Sequence, residues 1–488
     1  MIPKKLFKKV LLLTLVTVLL FTGVSVKLAQ AAEVPKYVFF FIGDGMGASQ
    51  RQAAEYYLKN ITGDKTKKLT MNKLPVAGLN TTQAADSLVT DSAAAGTALA
   101  TGHKTNSQVI AQSPDGTHLK TLVEAAEEQG MATGIITTSR LTHATPATFA
   151  SHVKNRYLPN KIANQYLKSG VDFFAGGGYR HFIPSNGLEY KGQKLKSKRK
   201  DDRNLVKKFE NKGYTTFLSK QDTESFFSFN PQGKEKVFAS FTYSHTPYEL
   251  DRKRTDATPS LAKMTEKGID TLANYNNGFF MMVEGARIDH ACHANDPAGA
   301  VHDTLAFDKA VNKAYDFYKQ HPDETLIIVA ADHETGGFGL GFAKQYFLKM
   351  DQLQKAKVTT ASTLAGKYKE FNQDKAKYFN YIAEKLGLED LNPEEKETII
   401  KAMNIVEEDR KYDTSTYGPS YYDPVAIATT HVLSKRAGLE WTTYAHSATP
   451  VPLTAIGVEA EKLGGYKDNT EVGRTIAHIM NFQLTTTY

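Results

Sequence analysis

The sequence predicts an α/β protein: a large, mostly parallel central sheet with helices on both faces, plus a mostly helical insertion. Three observations predict it. Short, continuous apolar runs recur at 37–42, 132–137, 237–241, 279–283, 325–331 and 452–458, and runs of that length without alternation read as strands buried on both faces. Amphipathic helical stretches lie between most of them, the alternation expected of a parallel sheet covered on both sides. The segment 343–423 departs from that alternation, being rich in Lys, Glu, Gln and Tyr with helical periodicity.

At the amino end, Lys4, Lys5, Lys8 and Lys9 precede an apolar run over 10–21, and Ala29-Gln30-Ala31 follows. The run is short for a membrane span and the small residues suit a signal peptidase, so 1–31 reads as a secretory signal peptide. The mature chain, 32–488, is then expected to be secreted, wall-associated or periplasmic. Removing the segment takes five lysines with it and lowers the formal charge from +8 to +3. At that balance no nucleic-acid binding surface is indicated. The basic run 196–200 meets Asp201 and Asp202 at once and has no interleaved aromatics, so it reads as a solvated loop. No membrane span is expected in the mature protein. Cys292 is the only cysteine, so the core must hold the fold together without an intramolecular disulfide.

Helix signals are local. Thr258-Pro259-Ser260 reads as a start, with Thr258 as cap and proline in the first turn. A helix over 119–129 stops at Gly130. Asn392-Pro393-Glu394-Glu395 opens a helix within 343–423. That segment either roofs a site, makes a subunit contact, or is a solvated decoration, and the sequence leaves these readings open.

In open parallel sheets, ligands bind beyond the carboxyl ends of the strands. Four strand ends here carry metal-type ligands: Asp44 after 37–42, His143 and Thr145 after 132–137, Glu284 after 279–283, and Asp332 with His333 after 325–331. One such residue is normally a helix cap or a turn residue. Four independent strand ends are poorly explained that way. The run from Glu284 to His293 is the densest, and Asp289 and His293, four apart, project from one helical face where two side chains can grip one cation. His446 lies just before the last apolar run. Ligands spread so widely converge only if the first and last strands share a sheet, which predicts one large domain over 32–488 although length alone favours two or three.

Asp91-Ser92 opens an alanine-rich helix that stops at Gly102. By itself that is a helix N-cap. Beside a cation cluster the same helix end offers unpaired N–H groups and a positive dipole to an anion, and a metal touching the Ser92 oxygen would favour its alkoxide.

With the motifs Ile42-Gly43-Asp44-Gly45-Met46-Gly47, Thr90-Asp91-Ser92-Ala93, His143-Ala144-Thr145-Pro146, Val283-Glu284-Gly285, Ala331-Asp332-His333-Glu334 and His446 in this order, the chain resembles the alkaline phosphatase family over almost its whole mature length. The resemblance implies two Zn2+ and one Mg2+. Asp289, His293 and His446 would bind one zinc, and Asp44, Asp332 and His333 a second that also contacts Ser92. Asp44 would bridge to magnesium, with Thr145 and Glu284 as its other ligands. Arg156 would clamp two phosphate oxygens, oriented by Asp91. His143 and His290 stand at positions that vary within the family, and histidines there admit Co2+ or Zn2+ at the third site.

The implied reaction is hydrolysis of phosphate monoesters to an alcohol and inorganic phosphate, through a covalent phosphoserine on Ser92. The resemblance also admits a homodimer. A phosphodiesterase on the same metal scaffold is the nearest alternative. A sulfatase fits poorly because Ser92 is followed by Ala93-Ala94-Ala95. An exported phosphate- or metal-binding protein without activity would need no serine at the metals.

Overall fold

The computed structural model describes residues 34–252 and 258–484, so the segment read as a signal peptide lies outside the described residues. In chain order the strands are β1 (Tyr37–Ile42), β2 (Val76–Asn80), β3 (Ala132–Arg140), β4 (Phe173–Gly177), β5 (Leu188–Tyr190), β6 (Gln193–Leu195), β7 (Tyr214–Leu218), β8 (Lys236–Ser240), β9 (Phe279–Glu284), β10 (Thr325–Ala330), β11 (Glu334–Thr335), β12 (His446–Ser447), β13 (Val451–Gly457) and β14 (Gly465–Lys467). A ten-stranded sheet runs in the order β14-β2-β13-β10-β1-β9-β3-β4-β8-β7. Its neighbours pair in parallel except where β13 meets β10 and β2.

Double-sided burial explains the unbroken apolar runs. Alternate residues of a strand face opposite ways, so Phe39 and Phe41 enter one core with Met281, Val283, Ile327 and Val329. Val38, Phe40 and Ile42 enter the other with Phe280, Met282, Leu326 and Ile328. Strand β1 is buried end to end, and each such side chain contributes about 1.5–3 kcal/mol by leaving water.

The four strands that carry the candidate ligands are contiguous in the sheet, as β10-β1-β9-β3. Their ends are level, because Ile42 pairs with Ala330 and with Glu284, and Glu284 pairs with Thr137. Strand β13 is antiparallel to β10, so it begins where β10 ends, and the residues before it arrive at the same edge. The short ladder of β11 with β12 then sets Thr335 opposite His446.

Strands β2, β4, β7 and β14 lie outside the apolar runs of the sequence. In β2 the burial alternates and reaches full depth only at Asn80, while β4 ends in Gly176 and Gly177. Two helix starts also differ from expectation. The helix Leu122–Glu128 begins later than 119 because Thr121 caps it: its hydroxyl accepts the Glu124 N–H at 3.1 Å, and the Glu124 carboxylate accepts the Thr121 N–H at 2.8 Å. The helix Leu261–Leu272 is capped by Ser260, whose Oγ accepts the Lys263 N–H at 3.2 Å, so Thr258 is not the cap and Pro259 stands before the first turn. The Asn392 start is as read, with Asn392 and Glu395 exchanging hydrogen bonds at 2.9 Å.

Every regular element between 343 and 423 is helical. The two longest, Lys375–Leu386 and Pro393–Glu407, place Tyr378, Ile382, Leu386, Ile399 and Met403 in the same core as Phe39 and Phe41. Among the described residues no helix is long and apolar enough to cross a membrane. Arg199, from the basic run 196–200, is paired with Asp201 at 2.8 Å and its side chain is fully buried.

Candidate metal centre

Three groups of side chains gather at the carboxyl edge of the sheet: Asp289, His293 and His446; Asp44, Asp332 and His333; and Asp44, His143 and Glu284. The helix Arg287–His293 supplies the first pair, at the spacing that puts both on one face. Asp44 follows β1, and the turn there needs Gly45, at φ +69°, because a Cβ would lie 2.7 Å from Thr335 Oγ1 and 2.9 Å from Asp289 Cα. The Gly45 N–H also donates to Asp332 Oδ1 at 3.2 Å. Asp44, Asp332, His333 and Glu284 are fully buried.

The donor atoms of these groups converge. His293 and His446 each direct Nδ1 at a backbone carbonyl, Tyr444 O and Thr90 O, both at 2.7 Å. Each Nδ1 therefore carries the proton, and each Nε2 presents a lone pair. The Nε2 atoms sit 3.2 Å from one another, and 3.2 and 3.5 Å from Asp289 Oδ1. A positive charge belongs between lone pairs that face so closely: a bound cation or, without one, a proton on His446, which burial would disfavour but the Asp289 carboxylate outweighs. His333 follows the same pattern. Thr335 Oγ1 donates to Asp289 Oδ1 at 2.6 Å and so accepts from His333 Nδ1 at 3.2 Å, which leaves His333 Nε2 free, 3.4 Å from both Asp44 Oδ1 and Asp332 Oδ2. Asp44 Oδ1, Asp332 Oδ2, Glu284 Oε1 and His143 Nδ1 are buried without hydrogen-bond partners. Buried polar atoms are normally paired, so four orphans in one place fit divalent cations.

The third group contains His143, and Thr145 Oγ1 lies 3.5 Å from Asp44 Oδ2. Glu284 Oε2 accepts from Thr137 Oγ1, and from Ser139 Oγ at 3.3 Å. Thr137, Ser139 and Thr335 escaped the sequence reading. Their signal was a hydroxyl two residues along from a ligand or at a strand end, where it shares the ligand's face.

Ser92 is the first residue of the helix Ser92–Thr101, with Asp91 as its cap. The Ser92 Oγ lies 3.2 Å from His333 Nε2. Asp91 does two things at once: Oδ1 accepts the Ala94 and Gln108 N–H groups at 3.1 and 2.9 Å, and Oδ2 accepts from Arg156 Nη1 at 2.7 Å. The capping reading and the arginine-orienting reading of Asp91 are therefore compatible. Arg156 Nη2 lies 3.3 Å from His143 Nε2. A cavity of about 380 Å³ opens here, lined by Ser92, Arg156, His143, His290, His293 and His446 among others.

Electrostatics follow from crowding. Burial, then the neighbouring Asp332, Asp289 and Glu284 charges, push Asp44 well above the carboxylate range. Burial raises Asp332 and Glu284 to about 7. Burial would also raise Asp289, but the adjoining His293 and His446 outweigh it and hold it well below its usual value. Burial, with Arg140 and Arg156 beside it, keeps His143 neutral, and burial with Arg287 takes His290 down to about 3. Their rings are 5.4 Å apart. Cys292 is buried, its thiol raised by burial, and it receives only a 3.7 Å contact from Gln50 Nε2.

A sheet of this order, with three groups able to hold a metal ion and a helix-borne serine at one edge, has the parts of a metal-dependent hydrolase. The family model for alkaline phosphatase matches residues 35–482. Alkaline phosphatase 3 of Bacillus subtilis is 32% identical over 99% of this chain and 98% of its own length. The crystal structure of Thermus thermophilus alkaline phosphatase superposes with a TM-score of 0.79 at 28% identity, covering 93% of each chain. A mutant TAB5 alkaline phosphatase, solved with Mg bound in its M3 site, superposes with a TM-score of 0.63 at 26% identity, over 93% of this chain and 99% of its own. The chain belongs to the alkaline phosphatase family, a class of metal-dependent phosphoric monoester hydrolases.

Proposed function

We propose that this protein hydrolyses phosphate monoesters to an alcohol and inorganic phosphate, with Ser92 as nucleophile and a phosphoserine as intermediate. The observation that carries the reading is the Ser92 hydroxyl, 3.2 Å from the free Nε2 of His333 at the start of a helix, with Arg156 in the same cavity.

The roles follow from the positions. We assign Zn2+ to Asp289, His293 and His446, Zn2+ to Asp44, Asp332 and His333, and Mg2+, or Co2+ or Zn2+, to Asp44, Glu284 and Thr145 with His143; such ions lower the pKa of a nearby hydroxyl and neutralise charge on a departing oxygen. Ser92 Oγ attacks phosphorus as the ester P–O bond breaks opposite it. Arg156, held through Nη1 by Asp91, has donors left for two equatorial phosphoryl oxygens. The first-turn amides of the helix other than Ala94, whose N–H Asp91 accepts at 3.1 Å, have no carbonyl partner within it and would face the same charge. A water then replaces Ser92 on phosphorus, the serine oxygen leaves, and phosphate departs.

Residues 1–31 serve as a signal peptide and the protein acts outside the cytoplasm. Residues 32–488 form one catalytic unit, of which 343–423 is a helical insertion. The test is mass spectrometry of protein quenched in acid during turnover of a chromogenic phosphate monoester. A phosphate on the peptide containing Ser92, absent in Ser92→Ala together with activity, supports the reading. Phosphate on another residue, full activity in Ser92→Ala, or equal turnover of the matching diester overturns it.

A further inference from the structure

Both ring nitrogens of His152 face atoms that can only accept. Nδ1 lies 2.8 Å from the Ala111 carbonyl oxygen, and Nε2 lies 2.8 Å from Glu124 Oε1. A carbonyl has no proton to give. Glu124 has none either: burial would raise its pKa, but His152 and the Thr121 N–H hold it below the usual value. Two donors are needed, so the ring is an imidazolium. Burial opposes that charge, and the Glu124 carboxylate with the Ala111 carbonyl outweighs it, so the pKa is raised. The groups around the ring fit one positive charge. His118 stacks on it at 4.7 Å and is itself lowered, by burial and then by His152. Lys120 is paired with Glu128 at 2.8 Å, and Glu127 accepts from Thr133 Oγ1 at 2.8 Å. A cavity of about 490 Å³ is lined by these five side chains and His152, so the ring can exchange protons with solvent.

This imidazolium fastens the segment that carries Arg156. Residues 108–111 and 152–156 run antiparallel. The Arg156 N–H donates to Gln108 O at 2.8 Å, Ile110 and Val153 exchange backbone hydrogen bonds at 2.9 and 3.1 Å, and His152 closes the end on Ala111 O, which also accepts the Leu119 N–H at 3.0 Å. The Gln108 N–H donates in turn to Asp91 Oδ1 at 2.9 Å, and Asp91 Oδ2 holds the Arg156 guanidinium. Gln108 and Ala111 have φ of 70° and 44°, a region that residues other than glycine occupy where surrounding contacts enforce it. His152 also joins this ladder to two helices. Glu124 belongs to Leu122–Glu128, and Gln165 of Pro159–Tyr166 accepts the His152 N–H at 2.6 Å and donates to its carbonyl at 3.0 Å. The backbone of the guanidinium is therefore placed by a ladder that ends in a titratable ion pair.

We infer that His152 is a positioning residue for the phosphate clamp: doubly protonated, it holds the ladder that sets Arg156, and on losing its Nε2 proton it slackens that hold. The inference rests on the phosphomonoesterase reading and adds to it a residue that acts through Arg156. The sign follows from the raised pKa. Its contribution is present at low pH and is lost as pH rises through the folded-state value, because a neutral ring with Nδ1 still donating to Ala111 turns a lone pair onto the Glu124 carboxylate. The grip on phosphate thus weakens toward alkaline pH.

The experiment uses metal-loaded full-length protein and measures the inhibition constant of inorganic phosphate at about pH 6 and about pH 9, on either side of an imidazole titration. Each variant is expressed as a ratio to wild type, so that titrations common to all of them cancel. In His152→Ala the constant is weaker by about three- to tenfold at the lower pH, less than loss of the guanidinium itself would cost. The ratio falls toward one at the higher pH, where wild type has lost the same contact. Glu124→Gln keeps the bond to the Thr121 N–H through its amide oxygen and offers an amide N–H to a neutral His152, so the ladder stays closed without the second proton. This variant stays within about twofold of wild type at the lower pH and binds phosphate more tightly than wild type at the higher. In spectra of protein with carbon-labelled histidine, the ring signal absent from His152→Ala titrates above about 6.5 in wild type and below it in Glu124→Gln. The same loss at both pH values in His152→Ala would make the residue merely structural and overturn the inference. So would Glu124→Gln no tighter than wild type at the higher pH, or a His152 signal that titrates at or below the ordinary value in wild type. Wild-type protein inactive on phosphate monoesters would instead sink the phosphatase reading itself, with the ring titration still reporting on His152.

Discussion

The Nε2 atoms of His293 and His446 face each other at 3.2 Å, and each ring has its Nδ1 proton committed to a backbone carbonyl. Neither ring can turn its Nδ1 proton inward without losing a 2.7 Å hydrogen bond, so in the neutral pair two lone pairs converge, the arrangement that the proposed cation would satisfy. Chelation should therefore cost stability as well as activity. An ion present at a thousandfold excess over its Kd stabilises the native state by about 4 kcal/mol. Calorimetry with and without a strong chelator should show a lower Tm for the stripped protein and recovery on adding zinc. An unchanged Tm would mean that no ion is held there in the native state.

Stripped protein should also respond to pH in a set direction. Asp332 and Glu284 titrate at about 7 because burial disfavours their charge, against about 4 for unfolded carboxyls. A raised folded pKa contributes stability that is present below pH 4 and lost as pH rises through 7. Metal-free protein is thus expected to have a lower Tm at pH 8 than at pH 5.5. Ion uptake near pH 6 should release protons held by the same groups. Titration calorimetry in buffers of different ionisation enthalpy checks this, and no buffer dependence at pH 6 would refute it.

Arg156→Ala should separate binding from chemistry. It removes the guanidinium that Asp91 holds at 2.7 Å but leaves the cation groups intact. Hydrogen bonds to charged groups are worth about 1.5–3 kcal/mol, so kcat/KM should fall by one to two orders of magnitude. Inhibition by inorganic phosphate should weaken in step, with turnover still measurable. Complete loss of both would assign Arg156 a larger share than this arrangement gives it.

Thr335→Val tests a residue that touches no substrate. Its hydroxyl bonds Asp289 and His333 together, fixing ligands of two different groups. Losing such a support typically costs about 10–100-fold in metal affinity or activity. Metal content after dialysis and activity at rising zinc should show the loss and its partial rescue by excess ion. Thr335→Ser should behave as wild type.

The fold was legible where burial is two-sided and the ligands where they follow such strands. Phe39, Met281 and Ile327 announce their strands because no polar residue interrupts them, and Asp44, Glu284 and Asp332 come directly after. Strand β4 was invisible because Phe173-Phe174-Ala175 passes at once into two glycines. Ser260 was missed as a cap in favour of Thr258 because sequence alone does not show which hydroxyl meets the N–H three residues on. Backbone partners have no side-chain signature at all, so the Thr90 and Tyr444 carbonyls that fix the imidazoles could not be read.

The crossing of β13 back through the sheet has a consequence for the order of assembly. A chain made from its amino end carries Asp44 early, yet His446 reaches the first cation group only when β12 has paired with β11, near the end of synthesis. Until then Asp289 and His293 have lost their third partner and His333 the ring stacked 3.6 Å from it. A truncated or still-emerging polypeptide therefore cannot close the pair of adjacent cation groups. On the proposed metal assignment, ion capture would be a late checkpoint of folding, passed only once the segment bearing His446 has joined the one bearing Asp289.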